Sequence, residues 1–159
     1  MNVAAVVQTL VDAGVDFVIV GGWSAILHGS GSVTMDLDLC FSRQPDNLQR
    51  LAKALAPFHP RLRDVLVELP FVWDAATLRN GTIFTLSTEL GPIDLLAEVK
   101  GLGAFPEVKA HAVLVQAFDR SVWTLDLASL IRAKRAAGRE KDLLVLPELE
   151  GLLEAEEGG

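Results

Sequence analysis

Asp36 and Asp38 stand two residues apart, with Leu37 between them and Leu39, Cys40 and Phe41 behind. On an extended strand, residues i and i+2 share a face. The spacing therefore predicts two carboxylates projecting side by side, with Leu37 and Leu39 turned to the core. Carboxylates that close repel each other unless a proton or a cation lies between them. Oxygen-only ligands with few protein contacts suit Mg²⁺, which keeps waters and shares substrate phosphates. A solvated surface strand is the plain alternative. The apolar flanks and a glycine turn upstream weigh against it.

That turn is Gly21-Gly22, at the end of the apolar run Phe17–Val20. Glycines where a strand opens a short helix let backbone N–H groups approach an anion closely, and Ser24 adds a hydroxyl. A glycine pair by itself usually means only a turn. Followed by Asp-x-Asp, it is much more specific.

The elements that must position these groups follow from periodicity. Val3, Val6, Val7, Leu10 and Val11 predict a helix stopped at Gly14. Phe17–Val20 reads as a buried strand, Trp23–Leu27 as one or two helical turns, 29–31 as loop and Asp36–Phe41 as a strand. Pro45-Asp46-Asn47 opens a helix whose inner stripe is Leu48, Leu51, Ala52 and Leu55, closed by Pro57. Residues 58–80 read as irregular. Thr82–Thr88 and Ile93–Leu96 predict an antiparallel pair, 100–107 a loop, and Ala112–Ala117 with Ser121–Leu125 two further strands. Asp126 N-caps a helix to about Ala137. A second helix over 139–156, with a break near Pro147, ends in a frayed tail. This order predicts an α+β fold with a mixed central sheet flanked by helices.

The 159 residues suit one domain with its own core, divided into an α/β core over 1–125 and C-terminal helices over 126–157. Half the residues are hydrophobic, which excludes disorder, and the net charge of −7 implies no general nucleic-acid surface. The single cysteine, Cys40, excludes an intrachain disulfide and a zinc framework and fits a reducing cytoplasm. The N-terminal region lacks the basic start of a signal peptide, and no run is apolar enough to span a membrane.

The stretch "VGGWSAILHGSGSVTMDLDL" resembles the signature of the polymerase-β-like nucleotidyltransferases: an apolar residue, Gly, Gly or Ser, a spacer, then Asp-x-Asp on a strand. "GPIDLL" offers the third carboxylate the resemblance implies, Asp94. "LASLIRAKRAAGREKDLLVLPELEGL" resembles the closing helices of AbiEii-type toxins and other minimal nucleotidyltransferases, through Lys134, Arg139, Lys141 and Asp142. The likeness is strongest at 18–41, 91–96 and 127–149. Thr34 is retained from the family setting, whereas Ser32 stands where many relatives have Arg or Lys.

The resemblance implies a nucleotidyltransferase that moves NMP from an NTP to an acceptor hydroxyl, with two Mg²⁺ ions held by Asp36, Asp38 and Asp94. Asp94 would also accept the hydroxyl proton. Gly21, Gly22, Ser24 and Thr34 would hold the nucleotide, and Lys134 the phosphates or leaving group. The first expectation is a toxin–antitoxin enzyme with an RNA (such as tRNA) or protein acceptor and a cognate antitoxin. The second is a small-molecule (antibiotic) nucleotidyltransferase. The third is a nucleotide-binding regulatory partner that has lost transfer, with Ser32 as its one support. A homodimer would cover the half-open cleft of so short a domain. Arg139 and Asp142, spaced i, i+3, are expected to pair on a helix. His28 is expected to hydrogen-bond the loop, and Trp23 and Cys40 to fill core.

Overall fold

The computed structural model describes residues 1–65 and 70–158. The chain begins with α1 (Val3–Asp12), N-capped by Asn2 Oδ1 on the Ala5 N–H at 3.1 Å and buried through Val3, Val6, Val7 and Leu10. Gly14, at φ +72°, turns it into β1 (Phe17–Val20), which runs directly into α2 (Gly21–Leu27). β2 (Leu37–Phe41) and α3 (Pro45–Leu55) follow, and a 3₁₀ turn at Ala56–Phe58 ends this helix. Next come β3 (Arg61–Leu62), α4 (Ala75–Arg79), and the hairpin of β4 (Ile83–Thr88) and β5 (Gly91–Leu96). The small pair β6 (Glu98–Val99) and β7 (Gly103–Ala104) leads into α5 (Phe105–Ala110). β8 (Ala112–Ala117), β9 (Arg120–Leu125), α6 (Leu127–Ala137) and α7 (Glu140–Gly158) complete the chain.

Seven strands form one mixed sheet in the order β3-β4-β5-β2-β1-β9-β8. β2 runs parallel to β5 and β1 parallel to β9, and the other neighbours are antiparallel. The central strands are buried on both faces, so they read as continuous apolar runs. Their alternation still sorts side chains. Phe17, Ile19, Leu37, Leu39, Phe41, Ile93 and Leu95 join the core of α1 and α3. Val18, Val20 and Cys40 join the opposite core of Leu127, Leu130, Ile131, Leu146 and Leu149 from α6 and α7. Each large side chain so buried stabilises by about 1.5–3 kcal/mol. Asp38 has the parity of Cys40, and it therefore points toward α6 and α7.

Buried Asn47 ties the start of β1 to the end of β2. Its Oδ1 accepts from the Asp16 N–H at 2.6 Å, and its Nδ2 donates to the carbonyls of Asp16 at 3.1 Å and Ser42 at 2.8 Å. Asp126 caps α6 as expected, accepting from the Ser129 N–H at 2.7 Å.

Five expectations need correction. Asp36 lies just before β2 rather than within it. The 58–80 segment holds β3 and α4, while residues 66–69 lie outside the described residues. The stretch 100–107 contains β7 and opens α5, because Pro106 falls in the first turn of that helix, where its missing N–H costs nothing. α7 passes through Pro147 without a break. The tail is helical to Gly158 rather than frayed.

Candidate active site

Asp38 and Asp94 are Cα partners across the parallel β2–β5 pair, so their side chains leave the sheet on the same face. Among the described residues, Asp38 Oδ1 is buried without a hydrogen-bond partner. Burial, then the neighbouring Asp94 and Asp36 carboxylates, push the Asp38 carboxyl up to about 7, against a smaller opposite pull from Lys134. An orphaned, charge-starved oxygen among hard oxygen donors fits a cation of the Mg²⁺ type. Among the described residues, however, no three His, Cys, Asp or Glu side chains converge closely enough to form a metal cluster.

Both glycines have steric reasons to be glycine. Gly21 has φ +66°, and the space a Cβ would take there is filled by the Asp38 carboxylate. At Gly22 a Cβ would lie 2.8 Å from Thr34 Cβ. The Thr34 hydroxyl donates to the Asp36 carbonyl at 3.3 Å, which links the glycine turn to the acidic strand. Ser24 departs from expectation. It is fully buried and hydrogen-bonded to the Thr124 hydroxyl at 2.7 Å, so it ties α2 to β9 instead of facing the site.

Beside Asp38 opens a cavity of about 240 Å³, floored by Leu96, Leu125 and Leu130 and edged by Lys134 and Arg139. Asp142, 1% exposed, holds both cations: Arg139 Nε donates to Oδ2 at 2.6 Å, and Lys134 Nζ lies 3.5 Å from Oδ1. Burial alone would raise the Asp142 carboxyl, but hydrogen bonding from Arg139 and the charges of Arg139 and Lys134 hold it below the usual range. The expected Arg139–Asp142 pairing is present, and its consequence reaches Lys134, whose ammonium Asp142 orients at the cavity edge.

Two site residues were missed from sequence. Arg63, just past β3, has its guanidinium paired with Asp94 and 3.8 Å from Asp36 Oδ2. It brings a positive charge to the carboxylates from a segment expected to be irregular. The alternation Arg61-Leu62-Arg63 after Pro60 was the available signal for an edge strand. Glu148 of α7 accepts from Ser30 Oγ at 2.5 Å and from the Gly31 N–H at 3.0 Å, which pins the loop leading to Asp36. No motif relates residues so far apart.

His28, Trp23 and Cys40 are structural, and two further tryptophans are tied into the fold. His28 Nε2 bonds the Leu125 carbonyl at 2.6 Å, on β9 rather than on its own loop. Trp23 packs edge-on to Phe118 with ring centroids 5.9 Å apart, and Cys40 is fully buried. Trp73 Nε1 donates to the Ala52 carbonyl at 2.8 Å, and Lys109 Nζ sits 3.5 Å from the Trp123 ring centroid.

The sequence matches no protein-family model, and no curated protein is similar to it. Solved structures are similar in fold. One is a Thermotoga maritima protein, TM1012, named a nucleotidyltransferase by inference; it aligns with TM-score 0.57 at 13% identity over 92% of this chain and 88% of its own. Another is the lincosamide antibiotic adenylyltransferase LnuA, solved with lincomycin bound; it aligns with TM-score 0.60 at 13% identity over 92% of this chain and 93% of its own. The chain has the nucleotidyltransferase fold.

Proposed function

We propose that this chain is a metal-dependent nucleotidyltransferase, transferring NMP from an NTP to an acceptor hydroxyl. The observation that supports this most is Asp38, paired in register with Asp94 and lining the cavity that Lys134 edges, with its Oδ1 unpartnered among the described residues. No helix among the described residues is long and apolar enough to cross a membrane.

Asp38 is the carboxylate that would hold Mg²⁺, with Asp36 and Asp94 beside it; a bound ion would neutralise triphosphate charge and acidify the acceptor hydroxyl. The apolar floor of the cavity suits a nucleoside, and Lys134 at its edge suits phosphate oxygens. The acceptor oxygen attacks the α-phosphorus. The bond from that phosphorus to the α,β-bridging oxygen breaks, pyrophosphate leaves with the electron pair, and Asp94 takes the hydroxyl proton. Gly21 and Gly22 allow the chain to pass close to the phosphates.

For the acceptor, the likeness of 127–149 to AbiEii-type and minimal nucleotidyltransferases supports an RNA or protein hydroxyl and a cognate antitoxin as partner. The full-length fold match to a lincosamide adenylyltransferase favours a second reading, a small-molecule acceptor.

The test is calorimetric titration of each of the four NTPs, with Mg²⁺ and with EDTA, into wild type and Asp38→Asn. One NTP should bind wild type only with Mg²⁺, and the variant should lose that binding. Failure of every NTP to bind folded wild type would overturn the reading. Unchanged binding to D38N would remove Asp38 from it.

A further inference from the structure

The carboxylates are not an open triad. Arg63 is 17% exposed at its side chain, and its guanidinium lies against Asp94 and near Asp36. It is held from both ends. Its backbone N–H donates to the Thr85 carbonyl at 2.9 Å, and Nη1 donates to the Leu86 carbonyl at 2.5 Å. Thr85 is in turn the register partner of Asp94. The strand that presents Asp94 and the strand that positions Arg63 are therefore locked to β4 together. Asp38, in contrast, lines the cavity, and among the described residues its Oδ1 has no hydrogen-bond partner.

A guanidinium is a permanent cation, and from its place beside Asp94 and Asp36 it neutralises charge on both carboxylates. For a divalent ion to bridge Asp36 and Asp94, Arg63 would have to withdraw from a part-buried, charge-assisted pairing and from a backbone carbonyl. An ion at Asp38 requires no such displacement.

The geometry points to Arg63 as a built-in counter-cation on Asp94 and Asp36, which limits the carboxylate site to one divalent ion per chain, bound through Asp38. This rests on the nucleotidyltransferase reading. It changes the two ions implied by the sequence resemblance to one ion and one arginine. Arg63 is a positioning residue: it fixes Asp94 and sets how much metal the site accepts.

The test is Mn²⁺ titration alone, with free Mn²⁺ read from its electron paramagnetic resonance signal, on wild type, Arg63→Gln and Arg63→Lys. Far-UV circular dichroism checks folding. We expect one Mn²⁺ per wild-type chain and two per R63Q chain. R63K keeps a positive charge at that position and should stay at one, which keeps the test informative if loss of the charge disrupts the β3–β4 edge. Two ions in wild type or in R63K would overturn the role of Arg63 alone, as would one ion in a folded R63Q. No Mn²⁺ on any of the three would overturn the metal reading of the site, and the Arg63 assignment with it.

Discussion

Asp38 and Asp94 oppose each other across a parallel strand pair, on the face covered by α6 and α7. A sheet interior rarely tolerates two facing acids. Here one is answered by Arg63 and the other is left with an unpartnered oxygen. The centre of the fold is under electrostatic tension until a cation or a proton relieves it.

That tension has a sign. The folded Asp38 carboxyl lies at about 7 against an ordinary 3.8, so between those values the native state binds more protons than the unfolded chain. Stability is fully present below about pH 4 as far as this group is concerned, and it falls as pH rises through about 7. In EDTA, urea unfolding of wild type should lose on the order of 2–4 kcal/mol across that window. Asp38→Asn should flatten the profile. A wild-type curve no steeper than that of D38N would refute the assignment.

Asp142 predicts a second outcome. It is almost fully buried and partners both Lys134 and Arg139. Removing one member of a buried ion pair costs about 3–5 kcal/mol. Asp142→Ala should approach that loss in urea unfolding and should weaken NTP binding by releasing Lys134 from the cavity edge. A loss under about 1 kcal/mol would mean that water already serves these cations.

Gly21 and Gly14 form a controlled comparison. Both have positive φ, +66° and +72°, so alanine at either should cost roughly 1–2 kcal/mol of backbone strain. At Gly21 the added Cβ meets the Asp38 carboxylate, whereas at Gly14 the nearest atom is Arg50 Cδ at 3.8 Å. Gly21→Ala should therefore lower NTP affinity at least tenfold while Gly14→Ala leaves it unchanged. Equal affinities in the two variants would show that Asp38 has room to move aside.

The parts of the site legible in sequence were those written in local pattern. Gly21-Gly22 and Asp36-x-Asp38 sit within one short turn-and-strand stretch, where spacing alone suggests a shared face for the two acids; Asp94 entered only through the family resemblance, and its place beside Asp38 depends on the β2–β5 register. Asp126 and the stripe of α3 were legible from local spacing too. Arg63 was not, because its meaning depends on β3 pairing with β4 and β4 with β5, two registers that no local spacing encodes. Ser24 misled for a related reason. A hydroxyl three residues into a glycine turn looks available, yet the parallel approach of β9 brings Thr124 against it. Helix α5 was hidden by Gly101 and Gly103 just before it and by its own Pro106, which read as loop until the β6–β7 turn fixes where the helix begins.

The strand order also bears on how the molecule acquires its site. The antiparallel pairs β1–β2, β4–β5 and β8–β9 join neighbours in sequence, whereas the parallel contacts β2–β5 and β1–β9 join distant ones. Local hairpins form in microseconds, but long-range pairing must wait for larger loops to close. Asp38 and Asp94 belong to different hairpins and meet only along the β2–β5 seam. In refolding, far-UV signal should therefore return before nucleotide capture does, and the appearance of a binding-competent site becomes a clock for the final seam-closing step.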